Sequence, residues 1–529
     1  MVENVVKFNK QIGHIRNSTS TSLLMSKPVT QDLFLLIKSL SKNEKGYIRK
    51  FAFRQGEEDS KLIKLFLAID KQEVYDEGQL IRTEKYIRQL PRMKIYLYEK
   101  ILDSLDNYFS GNNALIQVRK ILNRVSILFD KGFYDACIKQ LYKAKELARR
   151  YEFFSQLLEA LEWERTLMLE KQLTGSFEAV AREESEVLNQ LKLLSFYSST
   201  YDEMAKLYSE TIWIRSENDH RKYKSLIEKP LIQKPAAHLS LRSSIIRLKT
   251  LAKYYSALDD RKMYMKLAKK TVSMMEAKEG YIHQHLLQYI KVLNNLIVTL
   301  GENNQFDDFN FSLEKMSTLG DYYPAARSGK MQSMIRMRVI TRRFYQHLHL
   351  REYNKALSLV PEFEDCISQY RHLISTLHLQ MFLYALANIH FITENYKRAL
   401  VWINKILNES ETPETKVFQG YARLLNIIIH YELHNEDLLE SLIPSATRFF
   451  SKKPDVYQLE KLFIDTLKKK LLTTGSASEK RKAFEELKYT IQTKFNPNDN
   501  RIMEYFDFIS WIDSKTAAKS YQEMLKKGF

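Results

Sequence analysis

From about residue 115 onward one local pattern returns at nearly constant spacing: a tight turn, an aromatic, and three residues later a small or apolar side chain. It reads Gly132-Phe133-Tyr134 with Cys137, Gly175-Ser176-Phe177 with Val180, Tyr264 with Leu267, Phe306 with Phe309, Tyr353 with Ala356, and Tyr396 with Ala399. The last aromatics of these groups are 43, 87, 42, 47 and 43 residues apart, the second interval being about two units. A period of that length predicts stacked helix pairs, because each unit is one supersecondary element that buries its apolar side only against its neighbours. The hidden unit near residue 220 carries Pro230 and Pro235, which predict a bend. The 47-residue step carries Pro361, which predicts a helix break and an extra turn.

The rest of the chain agrees with helices. Only 14 Gly and 10 Pro occur in 529 residues, too few for a fold rich in tight β-turns. Tyr (31) and Phe (28) are abundant, as expected where helices pack through large side chains. Ser41-Lys42-Asn43-Glu44 reads as a capping box, and Ser476-Ala477-Ser478-Glu479 repeats it. Pro91 suits the first turn of a helix running to about Phe109, and Thr412-Pro413-Glu414 places a cap, an N1 proline and an acid in order. Leu241, Ile245, Leu248, Ala252 and Tyr255 form one helical stripe, and no period-two alternation is sustained. The predicted fold is all-α, a right-handed solenoid of antiparallel helix pairs with a period of about 43, joined to an N-terminal helical bundle.

Asn395-Tyr396-Lys397-Arg398-Ala399, with Ala387 in the small position of the preceding helix, resembles the turn and second-helix start of the tetratricopeptide family. Gly132, Tyr134 and Ala144 match likewise. The period exceeds that family's 34 residues, and Phe309 and Val180 stand where alanine is usual. The resemblance covers roughly residues 115–450 and implies a scaffold that binds proteins or peptides. "LFLLIKSLSKNEKGYIRKF" and "LIKLFLAIDKQEVYDE" resemble the opening of uncharacterised cytoplasmic proteins of the Bacteroidetes, which implies no activity. The expected organisation is a disordered segment or mis-annotated start at 1–29, with Met25 the alternative start. An N-terminal helical domain follows at 30–112, the repeat solenoid at 113–450, and capping C-terminal helices at 451–529.

Two cysteines, Cys137 and Cys366, form neither a disulfide framework nor a zinc site, and a reducing cytoplasm is expected. Cys137 falls where the repeat wants a small side chain and reads as a buried small hydrophobe rather than a reactive thiol. No apolar run spans a membrane, and Lys7, Lys10 and Arg16 interrupt any signal-like segment. Phosphate loops, GxSxG, HExxH and CxxC are absent, so no enzyme and no cofactor are expected. Ser39-Leu40-Ser41-Lys42 contains an SxxK triple, but Ser41 already has a capping role. His430 and His434 stand at i and i+4, a spacing that can begin a metal site, yet no third ligand is evident and no metal is expected.

The formal net charge is +18, and it is concentrated. Residues 221–270 hold fourteen Lys/Arg against Glu228, Asp259 and Asp260, and residues 322–351 hold seven against no acid. In the resembled family the first helix of each pair lines the concave groove. The positions 15 and 11 residues before each second-helix aromatic share one helix face. In three consecutive central units they read Lys249 and Lys253, Lys291 and Asn295, and Arg338 and Arg342; Tyr345 and His349 continue the last face. Arg119/Asn123 fit too, whereas Glu162/Thr166 and Met381/Ala385 break the pattern. Cations gathered along a concave wall reinforce one another's field and attract an anion. The expected partner is an acidic protein or peptide segment bound by Lys249, Lys253, Lys291, Asn295, Arg338, Arg342 and Tyr345. A phosphate-bearing ligand stays open. Nucleic acid is the alternative, with Tyr254, Tyr255 and Tyr345 as bases' stacking partners. The competing reading is that these are solvated helix faces of a Lys-rich chain. No membrane and no small-molecule ligand are expected.

Overall fold

The computed structural model describes residues 29–51, 57–83, 89–109, 111, 113–211, 214, 217–235, 237–278, 280–327, 329–371, 374–410, 412, 415–451, 458–471, 476–494, 506–517 and 519–527. Among these every regular element is helical and none is a strand. The chain divides into two units, residues 1–121 and 122–529. The expected disordered start at 1–29 lies almost wholly outside the described residues.

The first unit contains α1 (Val29–Ser39), α2 (Lys42–Phe51), α3 (Glu57–Lys71), α4 (Glu77–Thr83) and α5 (Leu90–Phe109). Its core is mostly aliphatic, with Leu33, Ile37, Ile48, Leu65, Leu97 and Ile101 packed beside Phe34 and Phe66. The capping box at α2 closes in both directions. The Ser41 amide donates to Glu44 Oε2 at 2.6 Å, and the Glu44 amide donates to Ser41 Oγ at 3.3 Å. Two of the helix's otherwise unsatisfied N-terminal groups are thereby bonded.

The second unit is an all-α solenoid. Helix α6 (Ala114–Asp130) crosses into it and is followed by α7 (Tyr134–Arg150), α8 (Phe154–Leu169), α9 (Phe177–Thr211) and α10 (Glu217–Ile227). Then come the pairs α11 (Leu241–Ala257) and α12 (Arg261–Glu276), α13 (Leu286–Glu302) and α14 (Phe306–Ser317), and α15 (Gly329–His349) and α16 (Tyr353–Ser358), the last followed by α17 (Val360–Tyr370). The pairs α18 (Thr376–Ile392) and α19 (Tyr396–Leu407), and α20 (Lys416–Glu432) and α21 (Glu436–Phe450), complete the regular series.

The turns explain the repeat. Two residues before six of the second helices the backbone enters the left-handed region, at Gly132, Asp259, Asn304, Arg351, Glu394 and His434; before Phe177 it does so earlier, at Lys171. There the chain doubles back on the preceding helix. At one such turn the Asn304 amide bonds the Gly301 carbonyl and the Gln305 amide the Leu300 carbonyl; at another, Glu394 and Asn395 bond Phe391 and His390. This is the Schellman arrangement, which satisfies carbonyls that the helix end leaves open. The helices then begin on the aromatics themselves, at Tyr134, Phe177, Phe306, Tyr353 and Tyr396. Cys137, Val180, Phe309, Ala356 and Ala399 are all buried, so each third residue is the contact point within its unit.

One unit is out of register. Helix α12 begins at Arg261, capped by the Asp260 carboxylate accepting from the Met263 amide, three residues ahead of Tyr264. Its buried small residue is Ala268, not Leu267. Tyr264 is therefore not the packing aromatic that the spacing implied. The hidden unit near 220 is also not a regular pair. Helix α9 runs 35 residues, and α10 with a short turn of helix at Pro230–Gln233 follows it. Pro361 does break the chain between α16 and α17, in the first turn of the latter. Helix α20 starts at Lys416 rather than at Pro413; Pro413 and Glu414 lie outside the described residues.

Helices α22 (Gln458–Thr466), α23 (Ala477–Lys494), α24 (Phe508–Ala517) and α25 (Tyr521–Lys527) share one core with α15 to α21. Trp511 is fully buried against Phe463, Phe484 and Tyr431, and its indole N–H donates to Glu432 Oε1 at 2.6 Å. Cys137 is fully buried as well, and its thiol donates to the Val125 carbonyl at 3.4 Å. Burial pushes that thiol's pKa up, which disfavours the reactive thiolate.

Candidate partner-binding face

The seven residues singled out from the sequence lie on the first helices of three consecutive pairs: Lys249 and Lys253 on α11, Lys291 and Asn295 on α13, and Arg338, Arg342 and Tyr345 on α15. Because α12 starts three residues early, Lys249 and Lys253 do not occupy the same register as the other two pairs. A three-residue offset turns a helical side chain by only about one sixth of a circle, so the lysines stay close to the same face. Lys249 is close enough to Lys291 and Lys253 for both to depress its pKa.

Helix α9 supplies what the sequence reading missed. The Lys249 ammonium stands 4.4 Å from the Tyr201 ring centre, and the Lys253 ammonium stands 4.4 Å from that of Tyr208 and 5.9 Å from that of Tyr201. Tyr201 and Tyr208 are seven residues apart, two turns of one helix, and their ring faces are covered by these cations. Burial, then Lys291 and Lys253, bring Lys249 down to about 8, with Asp202 opposing. Burial also lowers Lys253.

Tyr264 joins the two halves of the face. Burial raises its pKa, and Tyr208, Glu302, Arg342 and Tyr201 all act on its hydroxyl. One phenol thus lies within reach of the α9 tyrosines on one side and of Arg342 on the other. Its place in α12 accounts for this: the helix starts three residues earlier, at Arg261, so Tyr264 does not hold the first position of the second helix.

At α15 the Arg342 Nε–H donates to Asn294 Oδ1 at 3.3 Å. Asn294 therefore faces the arginines, whereas Asn295 is exposed beside it. Arg338 donates to the Met334 carbonyl at 3.2 Å within its own helix, and its Nε is buried with no partner among the described residues. Burial, then Arg342, lower Arg338 to about 10. Burial lowers Arg342, against the pull of Tyr345, Glu302 and Tyr264. His378, on α18, is held down by burial and by both arginines. A cavity of about 290 Å³ opens between α15 and α18 around Arg338, Arg342, Tyr345, Ser375 and His378. A larger one, about 740 Å³, continues past Arg342, Tyr345 and His349 to Met381, Ala385, Asp507 and Tyr521. It also contains Glu302, so the face is mixed in charge at that end.

The ion pairs fall elsewhere. Second helices are tied across neighbouring units: Lys269 to Asp308 at 2.8 Å, Lys315 to Glu276 at 2.8 Å, and Arg398 to Glu364 on α17 at 2.9 Å. Arg336, on another side of α15, pairs with Asp365 at 3.3 Å. Among the described residues Lys249, Lys253, Lys291, Arg338 and Arg342 form no ion pair.

Other candidates fare differently. Tyr254 is 7% exposed and packs in the core, so it has no face to offer a base; Tyr255 is half-buried against the same core. His434 lies beyond the end of α20 with φ of 55°, so it no longer shares a helix face with His430, whose Nδ1 bonds the Asn435 side chain. Among the described residues no group of three His, Cys, Asp or Glu is placed to hold a metal ion. Of the SxxK triple, Ser39 bonds the Leu36 carbonyl and Ser41 caps α2. No described helix is long and apolar enough to cross a membrane.

No protein-family model matches the chain, and no curated protein matches it. Among solved structures it is similar to a Signal Transduction ATPase with Numerous Domains protein with a tetratricopeptide repeat sensor from Pyrococcus horikoshii. The identity is 12% and the TM-score 0.37, over 97% of this chain and 65% of that one. The chain thus spans about two thirds of the length of the structure it matches.

Proposed function

We propose that this chain is a non-enzymatic cytoplasmic scaffold that binds an acidic segment of a partner protein along the first-helix face of α11, α13 and α15, used as a basic concave groove. The observation that carries the reading is the gathering of five cations without carboxylate partners on one helix face. Lys269, Lys315 and Arg398 on the second helices have carboxylate partners, whereas Lys249, Lys253, Lys291, Arg338 and Arg342, gathered on the first-helix face, have none among the described residues. Four of the five also have pKa values lowered by burial, to which neighbouring cations add at Lys249 and Arg338. A cation held where its charged form is disfavoured gains more from an anion than a solvated one does, because the anion relieves both desolvation and repulsion.

Carboxylates suit the face better than nucleobases. Tyr201 and Tyr208 have lysines over their rings, and Tyr254 is buried, so stacking platforms are few. The test is binding of a fluorescent Asp/Glu-rich peptide to the full chain across a salt titration, beside single-stranded RNA and duplex DNA of equal charge. Lys249→Glu with Lys253→Glu is expected to weaken the peptide by roughly tenfold or more at low salt. Tight, salt-sensitive RNA or DNA binding with no peptide binding would replace this reading by the nucleic-acid alternative, and a peptide unaffected by the double reversal would refute the face.

A further inference from the structure

We propose that the pocket between α15 and α18 is a phosphate subsite, built to take the phosphomonoester of a phosphorylated side chain in the bound polypeptide. The proposal rests on the reading of the first-helix face as a partner groove and adds the chemistry of one position in it.

The pocket differs from the rest of the face in its donors. Arg338 and Arg342 stand one turn apart on α15, close enough for Arg342 to disfavour the charge of Arg338. His378 enters from α18 and is acted on by both. The Ser375 hydroxyl bonds His378 Nδ1 at 2.7 Å, which fixes the ring and leaves Nε2 as its other hydrogen-bonding atom. Among the described residues no carboxylate lines this cavity, although the neighbouring larger one contains Glu302 and Asp507. Arg342 uses Nε on Asn294, so its two terminal amino groups remain for another acceptor. Arg338 offers a buried Nε with no partner among the described residues.

Charge count selects the ligand. Two guanidinium groups held together against solvent are balanced by a dianion, whereas one carboxylate leaves a net positive charge behind. A phosphomonoester carries close to two negative charges near neutral pH and three acceptor oxygens. Each planar guanidinium can meet two of those oxygens, which an ammonium cannot do. The volume, about 290 Å³, suits a phosphorylated side chain rather than a nucleotide or larger cofactor. The lysines of α11 lie outside this cavity and serve the flanking acids as point charges.

The source of the phosphate is settled by three probes titrated calorimetrically into the full-length chain: inorganic phosphate, an Asp/Glu-rich peptide with a central phosphoserine, and the same peptide with glutamate in its place. The phosphopeptide is expected to bind at least roughly tenfold more tightly than the glutamate peptide, and inorganic phosphate to compete with it. Arg338→Met keeps the stem's packing and should erase that preference while changing the glutamate peptide by about twofold or less. Arg338→Lys keeps the charge and should still lose most of it. Lys249→Glu with Lys253→Glu should weaken both peptides and leave their ratio unchanged. Equal affinity for the two peptides, or a preference that survives Arg338→Met, overturns the subsite and leaves the groove standing. Binding of inorganic phosphate that depends on Arg338, with neither peptide bound, keeps the subsite for a small phosphate and overturns the polypeptide groove.

Discussion

Replacing Lys249 by Met is expected to stabilise this protein. Lys249 is half-buried beneath a face that also presents Lys253 and Lys291, and its pKa falls to about 8 from the ordinary lysine value of about 10.4. A displacement of that size corresponds to about 3 kcal/mol against the folded state while the group is charged in both states. Below pH 8 the ammonium is protonated whether folded or unfolded, so the full penalty applies. Between pH 8 and 10.4 the folded chain has released the proton and the unfolded chain has not. The unfolded state then binds more protons, and stability rises with pH until the penalty disappears. Met retains the stem's packing and discards the charge. It also discards the attraction to the Tyr201 ring at 4.4 Å, which is worth about 0.5–2 kcal/mol. The net gain expected at pH 7 is therefore about 1–2.5 kcal/mol, shrinking toward zero or slightly negative by pH 10. Paired urea unfolding of the two proteins at pH 7 and pH 10 measures it, because other lysines largely cancel in the difference. A variant less stable than the parent at pH 7, or one whose advantage does not fall as pH rises, would refute the reasoning.

Glu152→Ala should cost about 2–4 kcal/mol, read as a lower urea midpoint: its buried carboxylate accepts from the Leu241 and Arg242 amides at the start of α11 and from Lys278. Gly132→Ala, at φ of 74°, should lose about 1 kcal/mol, whereas Glu394→Gly, at φ of 60°, should be neutral or gain about 0.5 kcal/mol; thermal midpoints of the two variants should move apart. Cys137 and Cys366 are both fully buried, so a thiol reagent should label the folded chain only at the rate of local opening, and Cys137→Ala should cost about 1 kcal/mol or less. Rapid labelling of the native protein would contradict the packing role.

The helix pairs were legible because their turns are made the same way each time. A left-handed residue, then one spacer, then an aromatic on the first position of the next helix leaves a trace at Gly132/Tyr134, Asn304/Phe306, Arg351/Tyr353 and Glu394/Tyr396. Glycine marks only the first of these; elsewhere Asn, Arg and Glu take the strained conformation, so the turn residue itself was a poor guide. The Asp259 turn broke the aromatic rule. Its second helix opens on Arg261, and the visible aromatic three residues later belongs to the site instead. Periodicity could not separate Asn294 from Asn295, since neighbouring positions differ by one hundred degrees on a helix whose exact rotation is set by packing. Tyr201 and Tyr208 were invisible for another reason. They lie in the 35-residue α9, where the repeat is interrupted and no spacing argument reaches them.

Some cations of the repeats are tied to carboxylates and others are gathered without them, and the difference bears on why the first-helix face is basic. On the second helices each cation of the Lys269–Asp308, Glu276–Lys315 and Arg398–Glu364 pairs ties a helix to an element of an adjacent unit. Exposed pairs of this kind are individually weak, but across successive helices they favour one order of stacking over others. Lys249, Lys253, Arg338 and Arg342 on the first-helix face stand without carboxylate ion pairs among the described residues and are partly desolvated, with Lys249 and Arg338 also repelled by neighbouring cations. Folding alone gives no reason to keep them: Met or Gln at Lys249 or Arg338 would pack as well and repel nothing. Positions where a chain works against its own stability are expected at functional surfaces. Stability and binding should therefore respond in opposite directions to one substitution. Lys249→Met ought to raise the urea midpoint and lower affinity for an acidic peptide together, whereas a merely solvated lysine would change neither.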